Sequence, residues 1–164
     1  MRLDKSDLST RLQPVLDAIT ALPAGPGAAA ALNTALPLEH PAVRLVFEAV
    51  QQGLEDGWLC PREANGVRFG RPVKPGPESR GFSVDAVVMA GAGPGHTHPA
   101  GEFDLCFVLD GAPRFDGNPP GWTVYGPGTW HVPTVTGGTM VILYFLPEGS
   151  IRFEDAPPAG QVVP

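Results

Sequence analysis

The chain holds four histidines, and three of them, His96, His98 and His131, share one stretch with two acidic residues, Glu102 and Asp104. In an extended strand residues two apart share a face, so His96 and His98 point the same way. Glu102 and Asp104 have the same parity. If the strand resumes without a bulge after the Pro99-Ala100-Gly101 bend, one or both carboxylates aim at the same point. Adding His131 gives three imidazoles and a carboxylate, a donor set suited to divalent iron, manganese, nickel or zinc. Such a set leaves coordination positions open for water or substrate, as a catalytic site requires.

Around these residues the sequence is rich in aromatic side chains: Phe103, Phe107, Phe115, Trp122, Tyr125, Trp130, Tyr144 and Phe145. Several must be ordinary core, but such walls suit a flat ring. Trp122 and Trp130 are candidate substrate contacts. Arg68, Arg71, Lys74 and Arg80 precede the histidines on or near strands. An arginine turned inward can clamp a carboxylate through two parallel hydrogen bonds; Arg71 and Arg80 are the first candidates. Cys106 has the parity of Glu102 and Asp104 and reads as a small buried hydrophobe facing inward.

The positioning elements change character near Cys60-Pro61. Before it, Leu8, Leu12, Val15, Leu16, Ile19 and Leu22 recur at steps of three and four, one apolar stripe of a helix with Ser6 as N-cap. Pro14 kinks that helix or begins it anew. Ala28–Leu36 reads as a short helix ended by Pro37. Pro41 opens a third, with Val43, Val46, Phe47, Val50 and Leu54 buried, His40 capping it and Gly57 after its end. Beyond Pro61 the period falls to two. Strands are expected over 67–73, 82–89, 103–109, 122–125, 131–135, 139–145 and 151–153, with a turn cluster over 116–121. This divides the chain into a helical segment over 1–60, a β unit over 61–155 and a loose tail over 156–164.

At 164 residues, with 43% hydrophobic and 17% charged residues, the chain can bury a real core as one domain. Its 21 Gly and 20 Pro follow no repeat and suit many tight turns between short strands. A net charge of −6 argues against a nucleic-acid surface. Two cysteines give no disulfide framework. No stretch approaches the length of a membrane span, and the charged N-terminus lacks a signal peptide's apolar run, so a cytoplasmic protein is expected.

The histidine region resembles the two motifs of the cupins. Gly121-x5-Pro127, then Gly128-x2-His131, follows the second motif with one residue missing between Pro and Gly. The first motif splits: counting forward from His98 makes Glu102 the carboxylate, and counting back from Gly111 makes it Asp104, because two extra residues sit somewhere between. Glu102 is the favoured ligand and Asp104 the alternative or an acid/base neighbour. The resemblance implies a mainly β fold, a cupin-type β-barrel (jelly roll, or double-stranded β-helix) with about three N-terminal helices packed outside it or forming a dimer contact.

The runs His96–Phe107, Pro113–Trp122, Gly128–Val135 and Ile142–Pro147 further resemble the 4-hydroxylaminobenzoate lyase family. That resemblance implies conversion of 4-hydroxylaminobenzoate and water to 3,4-dihydroxybenzoate (protocatechuate) and ammonia in nitroaromatic degradation. His96, His98, Glu102 and His131 would hold a divalent metal, iron(II), manganese or zinc; Glu102 or Asp104 would be the acid/base, with Tyr125 or Tyr144 orienting the leaving oxygen. The expected partners are a small aromatic carboxylate and a second copy of the chain, with no nucleic acid or membrane. Two rivals remain at this level: an iron-dependent cupin dioxygenase of an aromatic acid or catechol, and a non-catalytic small-molecule binding module.

Overall fold

The computed structural model describes residues 2–159, so the expected tail over 156–164 lies in part outside the described residues. Four helices come first: α1 (Lys5–Arg11), α2 (Gln13–Thr20), α3 (Pro26–Ala35) and α4 (Pro41–Asp56). The first expected helix is two, because Pro14 in the opening turn of α2 cannot continue the hydrogen-bond ladder of α1. The cap of α1 is Asp4, not Ser6: its carboxylate accepts from Ser6 N and Asp7 N, and Asp7 returns a bond to Asp4 N. His40 caps α4 through Nδ1, which accepts from Ala42 N, and Gly57 ends that helix in the left-handed conformation.

Nine strands follow: β1 (Arg62–Ala64), β2 (Val67–Val73), β3 (Phe82–Met89), β4 (His96–His98), β5 (Glu102–Phe115), β6 (Gly121–Tyr125), β7 (Thr129–His131), β8 (Val135–Pro147) and β9 (Arg152–Phe153). They form a six-stranded sheet in the order β1-β2-β3-β8-β5-β6 and a three-stranded sheet in the order β7-β4-β9. All pairings are antiparallel. The two sheets face each other as a jelly roll and are not joined into one continuous hydrogen-bonded barrel. The strand expected over 131–135 is split, since β7 ends at His131 and β8 starts at Val135.

The large sheet is buried on both faces. Phe82, Val84, Ala86, Phe103, Leu105, Phe107, Trp122, Val124, Val141, Leu143 and Phe145 pack with the helices in one core. Val87, Met89, Cys106, Met140, Ile142, Tyr144 and Leu146 form a second core on the opposite face, between the sheets. Strand alternation produces this division. In β5 the odd residues Phe103, Leu105 and Phe107 seal against the helices, and the even residues Glu102, Asp104 and Cys106 stand in the interior. The helices therefore cover the outside of the large sheet, with Phe47 of α4 stacked on Phe107 at 4.6 Å between ring centroids.

Candidate metal centre and active site

Across β4 and β7, His96 lies directly opposite His131, and His98 opposite Thr129. Directly paired residues project to the same face, and so does the residue two further on. The three imidazoles thus enter the interior together, each pair of ring centroids 4.7 Å apart. The chain then turns sharply, Gly101 N donating to His98 O at 3.2 Å, and leaves the small sheet for the large one. Gly101 is required in this turn: its φ is +88°, and a Cβ there would stand 2.6 Å from Ala24 Cβ. Glu102 consequently reaches the histidines from the facing sheet, not along a resumed strand. Its carboxylate oxygens lie 3.4 Å from His96 Nε2, 3.0 Å from His98 Nε2 and 3.8 Å from His131 Nε2. One ligand atom from each of the four residues falls within 4.8 Å of the others, and all four are buried.

The geometry gathers Glu102, not Asp104, with the imidazoles. The register of β5 against β8 slips by one residue between Val108 and Asp110 and again between Gly111 and Arg114. Only the first slip lies between Glu102 and Gly111, so it accounts for one of the two residues by which counting back from Gly111 misses Glu102.

Each outward ring nitrogen faces an oxygen that can accept, an arrangement that suits a proton on Nδ1. His131 Nδ1 lies 2.7 Å from Asp116 Oδ2. His96 Nδ1 lies 3.2 Å from the Pro94 carbonyl oxygen. His98 Nδ1 lies 2.8 Å from Thr129 Oγ1, whose own proton goes to Gly126 O. A proton on Nδ1 leaves Nε2 with a lone pair turned inward. With that tautomer in all three rings, the centre would present three imidazole lone pairs and a carboxylate, and His96 Nε2 and His131 Nε2 lie 3.1 Å apart across it. Both Glu102 oxygens and His98 Nε2 lack a hydrogen-bond partner. Burying such a set uncompensated costs several kcal/mol, and a divalent cation is what it fits.

Burial alone would raise the Glu102 carboxyl, but His96 and His98 outweigh it and hold the group well below the usual carboxylate range. Asp104 sits two residues on, fully buried with both oxygens unpartnered. Burial, then the charge of Glu102, pushes its carboxyl well above the ordinary value. Burial likewise raises the Tyr144 phenol, with Glu102 adding to it. Burial also keeps the Cys106 thiol well above its usual value, in keeping with a packed, unreactive side chain.

A cavity of about 880 Å³ opens onto the centre, lined among others by His96, Tyr144, Phe69, Val87, Arg71 and Lys74. Inward residues of β2 and β3 build its far wall. Arg71 is fixed there by Asp85, with Nε and Nη2 donating to the two carboxylate oxygens at 2.6 and 3.0 Å and Nη2 also to Gly149 O at 3.2 Å. Tyr144 lies in register between Asp85 and Asp104, and its hydroxyl donates a weak hydrogen bond to Met89 Sδ, at 3.9 Å.

Other expected contacts lie elsewhere. Arg80 is engaged with Asp17 and Gln13 of the helical segment and takes no part in the cavity wall. Trp122 has the outward parity of β6: it packs in the core under the helices and its indole N–H donates to Leu36 O at 3.0 Å. Trp130 alternates with His131, faces away from the imidazoles and donates to Glu154 O at 2.9 Å. Tyr125 stacks on His98, 5.2 Å between centroids and 4° between planes, and gives its hydroxyl proton to Asp116. Asp116, read from sequence only as part of a turn, is thus tied to the centre through both His131 and Tyr125.

A jelly roll that brings three histidines and a glutamate together from facing sheets has the architecture and donor set of a cupin. Within that class the chain belongs to the 4-hydroxylaminobenzoate lyase family, PnbB, whose model matches residues 10–153. It is 34% identical over 120 residues to the 4-hydroxylaminobenzoate lyase of Nocardioides sp. (strain LMS-CY), covering 67% of this chain and 71% of that one. The 4-hydroxylaminobenzoate lyase of Pseudomonas putida is 30% identical over 123 residues, covering 64% and 70%. Among solved structures, an RmlC-like cupin protein from Ralstonia eutropha JMP134 overlaps 59% of this chain and 66% of its own, at 18% identity and a TM-score of 0.44. Among the described residues no helix is long and apolar enough to cross a membrane.

Proposed function

We propose that this chain is a divalent-metal-dependent lyase that takes 4-hydroxylaminobenzoate, or a related arylhydroxylamine acid, and water to 3,4-dihydroxybenzoate and ammonia. The observation that carries the reading is the buried set of inward-facing acceptors on His96, His98, Glu102 and His131, set beside a cavity roomy enough for a ring. Family membership points to the reaction.

The N–O bond of an arylhydroxylamine is weak, but hydroxide leaves poorly without help. His96, His98, Glu102 and His131 would hold a divalent ion, which would supply Lewis acidity at this centre. Tyr144, neutral and without a strong partner, can donate a hydrogen bond to the departing oxygen. Asp104, whose carboxyl is pushed up by burial and then by Glu102, is the candidate acid. Among the cavity's cations, Lys5, Arg62, Arg71 and Lys74, the last two suit the carboxylate at the far end of the ring. Loss of the oxygen leaves an electron-poor ring that water attacks at the carbon next to the nitrogen-bearing one. A second water hydrolyses the resulting imine, ammonia leaves and the ring regains aromaticity. Two waters enter and one departs, so one is consumed per ammonia. Nitrogen is reduced as ring carbon is oxidised, and no outside oxidant is required.

The test is anaerobic incubation of metal-loaded protein with 4-hydroxylaminobenzoate, following ammonia and catechol together. Equal amounts of both, lost on chelation and restored by metal, support the reading. Absence of ammonia from metal-loaded protein overturns it, and turnover only with oxygen transfers the site to a dioxygenase.

A further inference from the structure

We propose that Asp116 is a positioning residue that holds His131 in its metal-competent tautomer and, through Tyr125, ties that imidazole to His98. The proposal rests on the metal reading of the centre and is independent of the lyase reaction.

Asp116 receives three donors and no others are needed to explain its place. Oδ2 accepts from His131 Nδ1, 2.7 Å away, and from the Tyr125 hydroxyl, and Oδ1 accepts from Thr134 N at 2.8 Å. The backbone supports the same arrangement, Asp116 N donating to Thr134 O at 2.8 Å. The residue adopts a φ of +49°, an uncommon conformation outside glycine that Asp and Asn tolerate best. The turn is thereby bent so that one carboxylate meets the donors of β6, β7 and the segment after β7 together. Tyr125 completes the clamp: its ring lies parallel on His98 and 4.4 Å from the ring of His131. Two imidazoles from different strands are thus held by one phenol–carboxylate pair.

A carboxylate suits this place because one side chain must accept from three donors at once. Each ring nitrogen of a neutral imidazole has one role, and a proton on Nδ1 leaves Nε2 free to bind a cation. Outer carboxylates that fix a ligand's tautomer are generally worth 10–100-fold in metal affinity. An asparagine has one acceptor oxygen and one amide nitrogen for the three donors now satisfied. Thr134 N–H and the Tyr125 hydroxyl compete for that oxygen, and the amide N–H favours the opposite His131 tautomer, with Nδ1 accepting and the proton on Nε2 blocking the centre.

The experiment uses full-length protein stripped of metal. Cobalt(II) or zinc affinity is measured for the parent, Asp116→Asn and Tyr125→Phe, and the His131 tautomer is read by nitrogen-15 NMR without metal. The parent should carry the His131 proton on Nδ1. Asp116→Asn, which suits the left-handed turn, should move it to Nε2 and weaken metal binding about 10–100-fold. Tyr125→Phe keeps the ring stack and should weaken binding less. A parent with the proton on Nε2 overturns the proposal without any variant. So does an Asp116→Asn protein whose metal affinity stays within about twofold of the parent, whatever its melting temperature. A parent with the expected tautomer but no affinity for any divalent ion removes the metal reading itself, and this proposal with it, while a lost lyase activity alone leaves it standing.

Discussion

His98 Nε2 and Glu102 Oε2 lie 3.0 Å apart, yet their strands belong to different sheets. One tight turn separates them in sequence, and it carries the chain across the interior. The carboxylate therefore closes the cluster from the side opposite the imidazoles, an arrangement that would surround a cation and not present it with a flat row of ligands.

Replacing His98 with alanine removes a ligand and leaves the other three in place. Metal affinity should drop by more than the 10–100-fold typical of losing an outer partner, and activity should go with it. Circular dichroism should remain unchanged, because the apolar cores on both faces of the large sheet do not include His98. Elemental analysis after dialysis checks the loss; a variant that keeps its metal and full turnover would refute the ligand assignment.

Acidification should release the metal. Glu102 is held down by His96 and His98 and stays ionised in mild acid, so imidazoles are the competing proton acceptors. Burial works against a proton on His96, but Glu102 outweighs it and leaves that ring above its ordinary value. Affinity should be flat in mild base and decline through the imidazole range, by about one decade per pH unit for each competing proton. Titrations between about pH 8 and about pH 5 test this.

Asp104→Asn should separate stability from activity. A carboxyl whose folded pKa is raised leaves the folded state holding a proton that the unfolded chain has released. Stability then falls as pH climbs from the ordinary carboxylate range towards the folded value. Asparagine mimics the protonated form and abolishes that decline, so the metal-free variant should melt higher than the parent at neutral pH. If Asp104 supplies a proton to the departing oxygen, turnover should fall about 10²–10⁴-fold. Unchanged turnover would remove Asp104 from the chemistry.

Arg71 and Arg80 should behave differently. Arg71→Ala is expected to raise KM for a carboxylate-bearing substrate about 10-fold or more with a smaller effect on kcat, and to leave an uncharged arylhydroxylamine unaffected. Arg80→Ala should change neither, costing at most about 1 kcal/mol for its partly exposed ion pair with Asp17. Steady-state kinetics on the paired substrates decides; equal effects of the two variants would contradict the cavity's assignment.

Spacing marked the buried cluster: His96, His98 and His131 hold motif positions, while the carboxylate stayed open between Glu102 and Asp104 until the geometry gathered Glu102 with the imidazoles. Helix boundaries were equally readable where Pro14, Pro41 and Gly57 mark them. Asp116 was not, because its link to His131 depends on a turn folding back over β7, and nothing in their separation marks a contact. Its neighbours Gly117 and Asn118 signalled the turn without the partner. Trp122 could have been placed better. It and Tyr125 have opposite parity on one short strand, so both cannot face the interior. Arg80 was unreadable for another reason, since its partners Asp17 and Gln13 lie in the helical segment, far away in sequence.

The two-sided burial of β5 has a bearing on how this chain can change length. Because alternate residues seal the helical layer and furnish the centre, a frame slip of one position before Val108 would swap a carboxylate for Phe103 and thrust charge under the helices. Inserted residues can be accommodated farther on, where the strand already steps out of register twice and its side chains lie largely at the surface. Variation in length among related chains should therefore gather after Val108, leaving the four residues from His98 to Gly101 invariant in number.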